Sequence, residues 1–243
     1  MGKITSEISF TGSVGNITVD KYKVVRRKPA PYPVTAIRTI EGNSEFRTAG
    51  QSTQLLFNAL RYSTRHIRDK RAYVRLMSAM LTIIQADEVN VRGKRVITDP
   101  GLILLKKFDF NTHASLSAIV WTKINTITER TKGEIQVHIG LYSPARFIDA
   151  PNGATHFRFL ATAVEVDFQK DEAERQMTES AEISLDSTAE SFTTLNVAFT
   201  PQSTKPVVIG LGIKFYQLVN GGLQPLHNSE ANAFQIIEVD IAS

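Results

Sequence analysis

The hydrophobic period changes from helical to alternating partway along this 243-residue chain, and that change limits the folds open to it. Between residues 45 and 86 apolar side chains recur at helical spacing; from about residue 100 they alternate with polar ones. Tyr73, Leu76, Met77, Met80, Leu81 and Ile84 form an amphipathic stripe at 3.6-residue spacing, with Asp69 placed as its N-cap. Phe46, Ala49, Gly50, Thr53, Phe57 and Leu60 give the preceding stretch a weaker stripe of the same kind. Ser63-Thr64 marks either a break between two helices or a bend in one long helix.

Downstream, Ile135, Val137, Ile139 and Leu141 alternate with Glu134, Gln136, His138 and Gly140. Leu195, Val197 and Phe199 alternate too, as do Val207, Ile209, Leu211, Ile213 and Phe215, and Ile237, Val239 and Ile241 close the series. The run from Phe157 to Phe168 switches apolar parity near Leu160-Ala161, the sign of a bulge or of burial on both faces. Pro151-Asn152-Gly153 and Asn220-Gly221-Gly222 read as turns, the latter a hairpin. The glycines of Gly210-Leu211-Gly212, inside a strand pattern, predict a facing aromatic or a bend. The acidic segment from Gln169 to Glu190 reads as a short helix or an exposed loop. Six or more strands joined by polar turns, without intervening helices, predict an antiparallel β-sandwich of immunoglobulin or jelly-roll kind.

The first residues behave differently. Ile8, Phe10, Ile17, Val19 and Val24-Val25 predict short strands around the turn residues of Gly12-Ser13-Val14-Gly15-Asn16. In Arg26-Arg27-Lys28-Pro29-Ala30-Pro31-Tyr32-Pro33, three alternate prolines exclude a helix and favour extended backbone. A hairpin of this size is marginal alone, so the arm needs a surface, in its own second half or in another subunit. The expectation is an α+β chain: an extended basic β arm over residues 1–44, a helical pair over 45–98 and a β-sandwich over 99–243.

With 42% apolar and 21% charged residues, the composition excludes a disordered chain. The absence of cysteine removes disulfides, thiolate metal sites and cysteine nucleophiles together. Glu7 interrupts any apolar leader, which predicts no signal peptide, and no run approaches the length of a membrane span. Charge is divided. Residues 1–110 hold 19 Lys/Arg against 9 Asp/Glu, a net of +10; residues 111–243 hold 9 against 15, a net of −6. Such asymmetry suits a polyanion or an acidic neighbour for the first half, or contact between the basic half of one copy and the acidic half of another.

Arg61, Arg65, Arg68 and Arg75 lie opposite the apolar stripe and would make a basic ridge on a continuous helix, able to grip phosphates or carboxylates. Lys21, Lys23, Arg26, Arg27 and Lys28 interleave with Tyr22 and Tyr32, the composition of a single-strand nucleic-acid contact and equally of an arm docking on an acidic protein surface. Glu165-Val166-Asp167 and Glu238-Val239-Asp240 would gather four carboxylates if their strands were neighbours, a setting for Ca²⁺ or acid/base chemistry. His66, His113, His138, His156 and His227 show no metal-ligand spacing, although His138 and His156 could meet across a sheet. No phosphate-binding loop, nucleophile elbow or dinucleotide fingerprint occurs, and no cofactor is implied.

Gly2-Lys3-Ile4, Gly12, Val14-Gly15-Asn16, Arg26-Arg27-Lys28-Pro29 and the helix carrying Phe46 and Phe57 resemble an uncharacterised family of bacterial proteins. Its members combine a glycine-rich opening, a basic proline step, paired helices and a strand-rich second half. The likeness covers roughly the first 90 residues, with Tyr22-Lys23 where such proteins often place a tryptophan. It implies no enzymatic activity, cofactor or catalytic residue.

These features point to a non-enzymatic subunit of a larger assembly, phage-like or on a surface, located in the cytoplasm or in a virion-like particle. Its partners would be copies of itself or other subunits, met through Arg26, Arg27, Lys28 and Tyr32 of the arm and Arg61, Arg65, Arg68 and Arg75 of the helices, with strand addition at a sheet edge. A nucleic-acid binder using the same basic half, and a calcium- or carbohydrate-binding sandwich using the four carboxylates, are the alternatives.

Overall fold

The computed structural model describes residues 11–28, 36–226 and 231–242. Ile8, Phe10, the proline run with Tyr32, and His227 lie outside the described residues. The chain separates into two compact units, Met1–Ile40 and Glu41–Ser243.

In the first unit, β1 (Gly12–Val14), β2 (Ile17–Val19) and β3 (Val25–Arg27) form a three-stranded antiparallel meander in that order. Gly15, at φ +55°, and Asn16 turn β1 into β2, so part of the expected turn segment is itself strand. Asp20 shapes the second connection: its Oδ1 accepts from the backbone N–H groups of Tyr22 and Val24, and Lys23 takes φ +61°. Directly paired residues share a face. Val14, Ile17, Val19, Val25 and Arg27 therefore stand on one side, and Ser13, Thr18 and Arg26 on the other.

The helices follow as α1 (Ile37–Ala59), α2 (Arg61–Thr64) and α3 (Ala72–Gln85). The first begins before residue 45, where apolar spacing starts, because its opening turns need no buried stripe. Its buried residues are Glu45, Ala49, Ser52, Thr53 and Leu56, while Phe46, expected on the inner stripe, is 57% exposed. The expected break is real and follows α2. Leu60 is a slight irregularity that stays in the right-handed helical region, with Leu60 N–H on the Leu56 carbonyl and Thr64 N–H on the Leu60 carbonyl, and the turns and bends of residues 65–71 separate α2 from α3. Asp69 is not the N-cap of α3; Arg71 is, and Asp69 lies two residues earlier. The stripe on α3 buries Leu76, Met80 and Ile84 as expected, with Ala72 and Ile83 added.

A 3-10 helix (Pro100–Leu105) and α4 (Leu116–Ile119) lead into β4 (Ile124–Glu129), β5 (Glu134–Tyr142), α5 (Pro144–Phe147), β6 (His156–Asp167), β7 (Glu172–Glu179), β8 (Ile183–Ser184), β9 (Ser191–Ala198), β10 (Val207–Val219), β11 (Gly222–Pro225) and β12 (Ala233–Asp240). All pairings are antiparallel. One sheet runs β4-β5-β9; the other runs β11-β10-β6-β7, with β12 also on β10 and β8 also on β6. The result is a mixed α+β fold rich in antiparallel sheet, with one strongly curled half-barrel. The acidic segment expected as helix or loop is strand, supplying β7 and β8.

Two hydrophobic cores lie on opposite faces of the larger sheet. Phe157, Phe159, Ala161, Val207, Ile209, Leu211 and Ile213 face the smaller sheet and its Ile135, Val137, Ile139, Leu195 and Val197. Leu160, Val164, Val166, Val208, Phe234 and Ile236 face the helices, against Leu56, Leu60, Leu76, Met80, Ile83 and Phe110. Coverage on both sides explains why residues 159–166 are all buried and why β6 shows no clean alternation. In β5 the alternation fails at Leu141, 60% exposed, because an irregularity between Ile139 and Tyr142 turns Tyr142 inward instead.

Two glycine sites are forced. Asn220 (φ +51°) and Gly221 (φ +79°) close the β10–β11 hairpin with both central residues left-handed, as a tight right-twisting hairpin needs. Gly210 lies under the ring of Phe234, where an added Cβ would come within 2.3 Å of Cζ. That ring meets Phe110 edge-on at 5.5 Å, and a register shift between Ile209 and Gly210 accommodates the crowding.

Candidate functional site

The basic residues fall into two groups, one in each unit. On the meander, Arg26, Arg27 and Lys28 are exposed. Arg26 makes an open ion pair with Asp20 at 3.6 Å, and Lys28 N–H donates to the carbonyl of Asn16, which closes the ladder. Tyr22 is 74% exposed with Lys21 Nζ 4.9 Å from its ring centroid. Val14 and Ile17 are exposed at 64% and 47% on the face that carries Arg27. Three short strands cannot bury such residues among themselves.

The helical arginines do not form one ridge, because the helix is not continuous. Arg61 and Arg65 are exposed, and Arg68 stacks 4.6 Å from the centroid of Phe57. Burial, then the charges of Arg61 and Arg65, lower the pKa of Arg68, so three of the four form one electropositive group. Arg75 is drawn away into structure: it bonds Asp69 at 2.8 Å and the Asp109 carbonyl at 2.9 Å. Burial works against the charge on Asp69, but hydrogen bonds from Arg75, Thr112 and Arg71 outweigh it and hold the carboxyl far below the usual range.

The four carboxylates do not converge. β10 runs between β6 and β12, so Glu165 and Asp240 both pair with Val207 from opposite sides. Glu238 meets Lys106 at 2.7 Å and Asp240 meets Arg130 at 2.6 Å. Asp167 accepts from the N–H groups of Gln169 and Lys170 in the turn after β6. Among the described residues no three His, Asp or Glu side chains form a metal-binding group. His138 and His156 stand in different sheets, each bonded to a threonine, Thr194 and Thr155.

Glu165 is different from the other three. It is 6% exposed, accepts from Ser203 Oγ at 2.6 Å and from Thr200 N–H at 3.2 Å, and lines a cavity of about 220 Å³. Burial opposes its ionisation, yet the Ser203 and Thr200 hydrogen bonds and the charge of Lys205 leave its pKa below the ordinary value. Arg130 holds the loop that supplies those donors by bonding the carbonyls of Ser203 and Lys205. Directly opposite Glu165 on the neighbouring strand is Glu174, and Ala163, Phe199 and Pro201 supply apolar wall. Charge counting marks this segment as acidic but misses its strand form, since Ala173 and Met177 stand four apart and imitate a helix face.

Among the described residues no helix is long and apolar enough to cross a membrane. Comparison with known protein families and with curated proteins finds no match to this chain.

Proposed function

We propose that the protein is a non-catalytic assembly subunit whose basic N-terminal arm engages neighbouring subunits, in the cytoplasm or in a phage-like or surface particle. The observation that carries this reading is the meander: a three-stranded unit with Val14 and Tyr22 largely in solvent, Ile17 half-exposed, Val19 buried, and five Lys/Arg in residues 21–28. A piece this small gains stability by covering its apolar face, and its charge selects an acidic cover. The remainder supports the same reading, because Glu41–Ser243 is compact with two cores of its own and offers a surface for the arm of a neighbouring copy to join. On this view the two facing sheets are a β-sandwich of immunoglobulin or jelly-roll kind, and strand addition at a sheet edge provides the contact. Deleting residues 1–34 is expected to abolish oligomers while leaving a folded body. Light scattering checks the mass, and an unchanged oligomer after deletion would overturn the reading. The grouping of Arg61, Arg65 and Arg68 favours a second reading, a polyanion contact; steeply salt-dependent retention of single-stranded nucleic acid by a monomeric chain would select it.

A further inference from the structure

The larger sheet ends at β7, whose outer edge joins no ladder among the described residues, although β9 packs close beside it. The inner edge of β7 pairs with β6 from Leu160↔Glu179 to Asp167↔Glu172. Its outer edge makes no backbone hydrogen bond among the described residues; the link across to β9 is a side chain, Thr178 Oγ donating to the Asn196 carbonyl at 2.7 Å. An open strand edge is a template for another strand unless its side chains forbid one. Here the selection is by sign. Residues 165–190 hold nine Asp/Glu and two Lys/Arg, a net of −7, more than the whole surplus of the second half. A second β7 is therefore repelled and a basic strand attracted.

This chain contains such a strand. Residues 21–28 carry five Lys/Arg and no acid, and β3 is itself the edge of its meander. We infer that β7 of one copy receives β3 of a second copy, edge to edge, with a long basic side chain of β3 entering the cavity between Glu165 and Glu174; this rests on the assembly reading above and names its partner surface. Each strand's own kind is excluded by like charge, so the contact joins unlike surfaces, β3 to β7, rather than a patch to itself.

The cavity suits a guanidinium or ammonium group on an aliphatic stem. Glu165 is held ionised at its inner end, Glu174 sits across from it at the rim, and neither forms an ion pair among the described residues. Ala163, Phe199 and Pro201 line the path a stem would take. Neighbouring acids are already matched: Asp167 with Lys170, Glu172 with Lys205, Glu179 with Lys214 and Arg158. Glu165 and Glu174 have no such ion pair among the described residues, nor do Asp171, Asp186 and Glu190 of the same segment, but only Glu165 and Glu174 line the cavity. On the incoming strand Arg27 shares its face with Val14 and Ile17, so the charge arrives with the apolar surface that needs cover.

The test uses the full chain and two charge-reversed forms: Arg26→Glu with Arg27→Glu and Lys28→Glu, and Glu172→Lys with Glu174→Lys. Mass is read by light scattering at about 0.1 M and about 1 M salt, where screening lengths are roughly 10 and 3 Å. The unaltered chain is expected as an oligomer at low salt, shrinking toward the 27.0 kDa single chain at high salt. Each reversed form alone is expected at single-chain mass. An oligomer indifferent to both reversals, or lost with the arm but kept with the edge reversed, overturns the β7 assignment and leaves the assembly reading standing. A monomeric unaltered chain overturns both. If circular dichroism shows a reversed form to be unfolded, Glu174→Gln at its exposed position and Arg27→Gln replace it, and a mass unmoved by either overturns the assignment.

Discussion

Replacing Gly210 by alanine asks one methyl group to occupy space already filled. Its Cβ would lie 2.3 Å from Phe234 Cζ and 2.6 Å from Cε1, where carbon atoms rest at about 3.5–4.0 Å. The ring must retreat by more than an ångström, but Phe110 stands edge-on against it at 5.5 Å and Leu56, Leu76 and Met80 fill the same core. Overpacking of this kind costs about 1–3 kcal/mol, and the rigidity of the surroundings places Gly210→Ala near the upper end, about 3 kcal/mol. For a chain of this length that lowers the melting temperature by roughly 6–12 °C. Urea denaturation followed by circular dichroism measures it, with Phe234→Ala as second variant at about 3–5 kcal/mol. Without the ring, nothing stands nearer than 3.3 Å to alanine's Cβ at 210, and the substitution removes freedom from the unfolded chain. The double variant should then match Phe234→Ala or exceed it by up to about 1 kcal/mol. A Gly210→Ala protein within about 0.5 kcal/mol of the unaltered one, or an equal loss in both backgrounds, refutes the reasoning.

Two further expectations concern buried carboxylates. Asp87 accepts from the side chain of Asn90 and from the N–H groups of Val96, Asn90 and Val89, which brings its pKa down to about 2. Because the folded value lies below the unfolded value of about 3.9, its stabilisation is complete above that pH and disappears as pH falls through about 2. The gap in melting temperature between the unaltered chain and Asp87→Asn should therefore narrow from pH 5 to pH 2; a constant gap refutes it. Asp69→Ala removes the acceptor shared by Arg71, Arg75 and Thr112 and leaves Arg75 half-buried beside one carbonyl, at a cost of about 2 kcal/mol in urea denaturation. A loss below about 0.5 kcal/mol would mean that Arg75 finds another partner.

The candidate contact surface was half legible in advance. The basic run at residues 21–28 and the acid-rich segment after Phe168 stand out by charge alone. That β7 ends a sheet, and that Glu165 lies inside a cavity beside Glu174, depends on pairings between residues far apart in the chain. The arginines illustrate the same limit. Their spacing promised a ridge, but the interruption between α2 and α3 left Arg61, Arg65 and Arg68 together and sent Arg75 to Asp69.

By itself the sequence determined what local chemistry controls. The helical stripe on α3, the Asn220-Gly221 hairpin, the alternation in β9 and the separation of charge along the chain all follow from neighbours a few residues apart. Tertiary structure decided what covers each surface. β6 lost its alternation because helices and a second sheet cover its two faces, and the Glu165 and Glu238 strands were kept apart by β10. Spacing tells a strand which side chains share a face; only the elements packed against that face decide whether it meets oil, water or another charge.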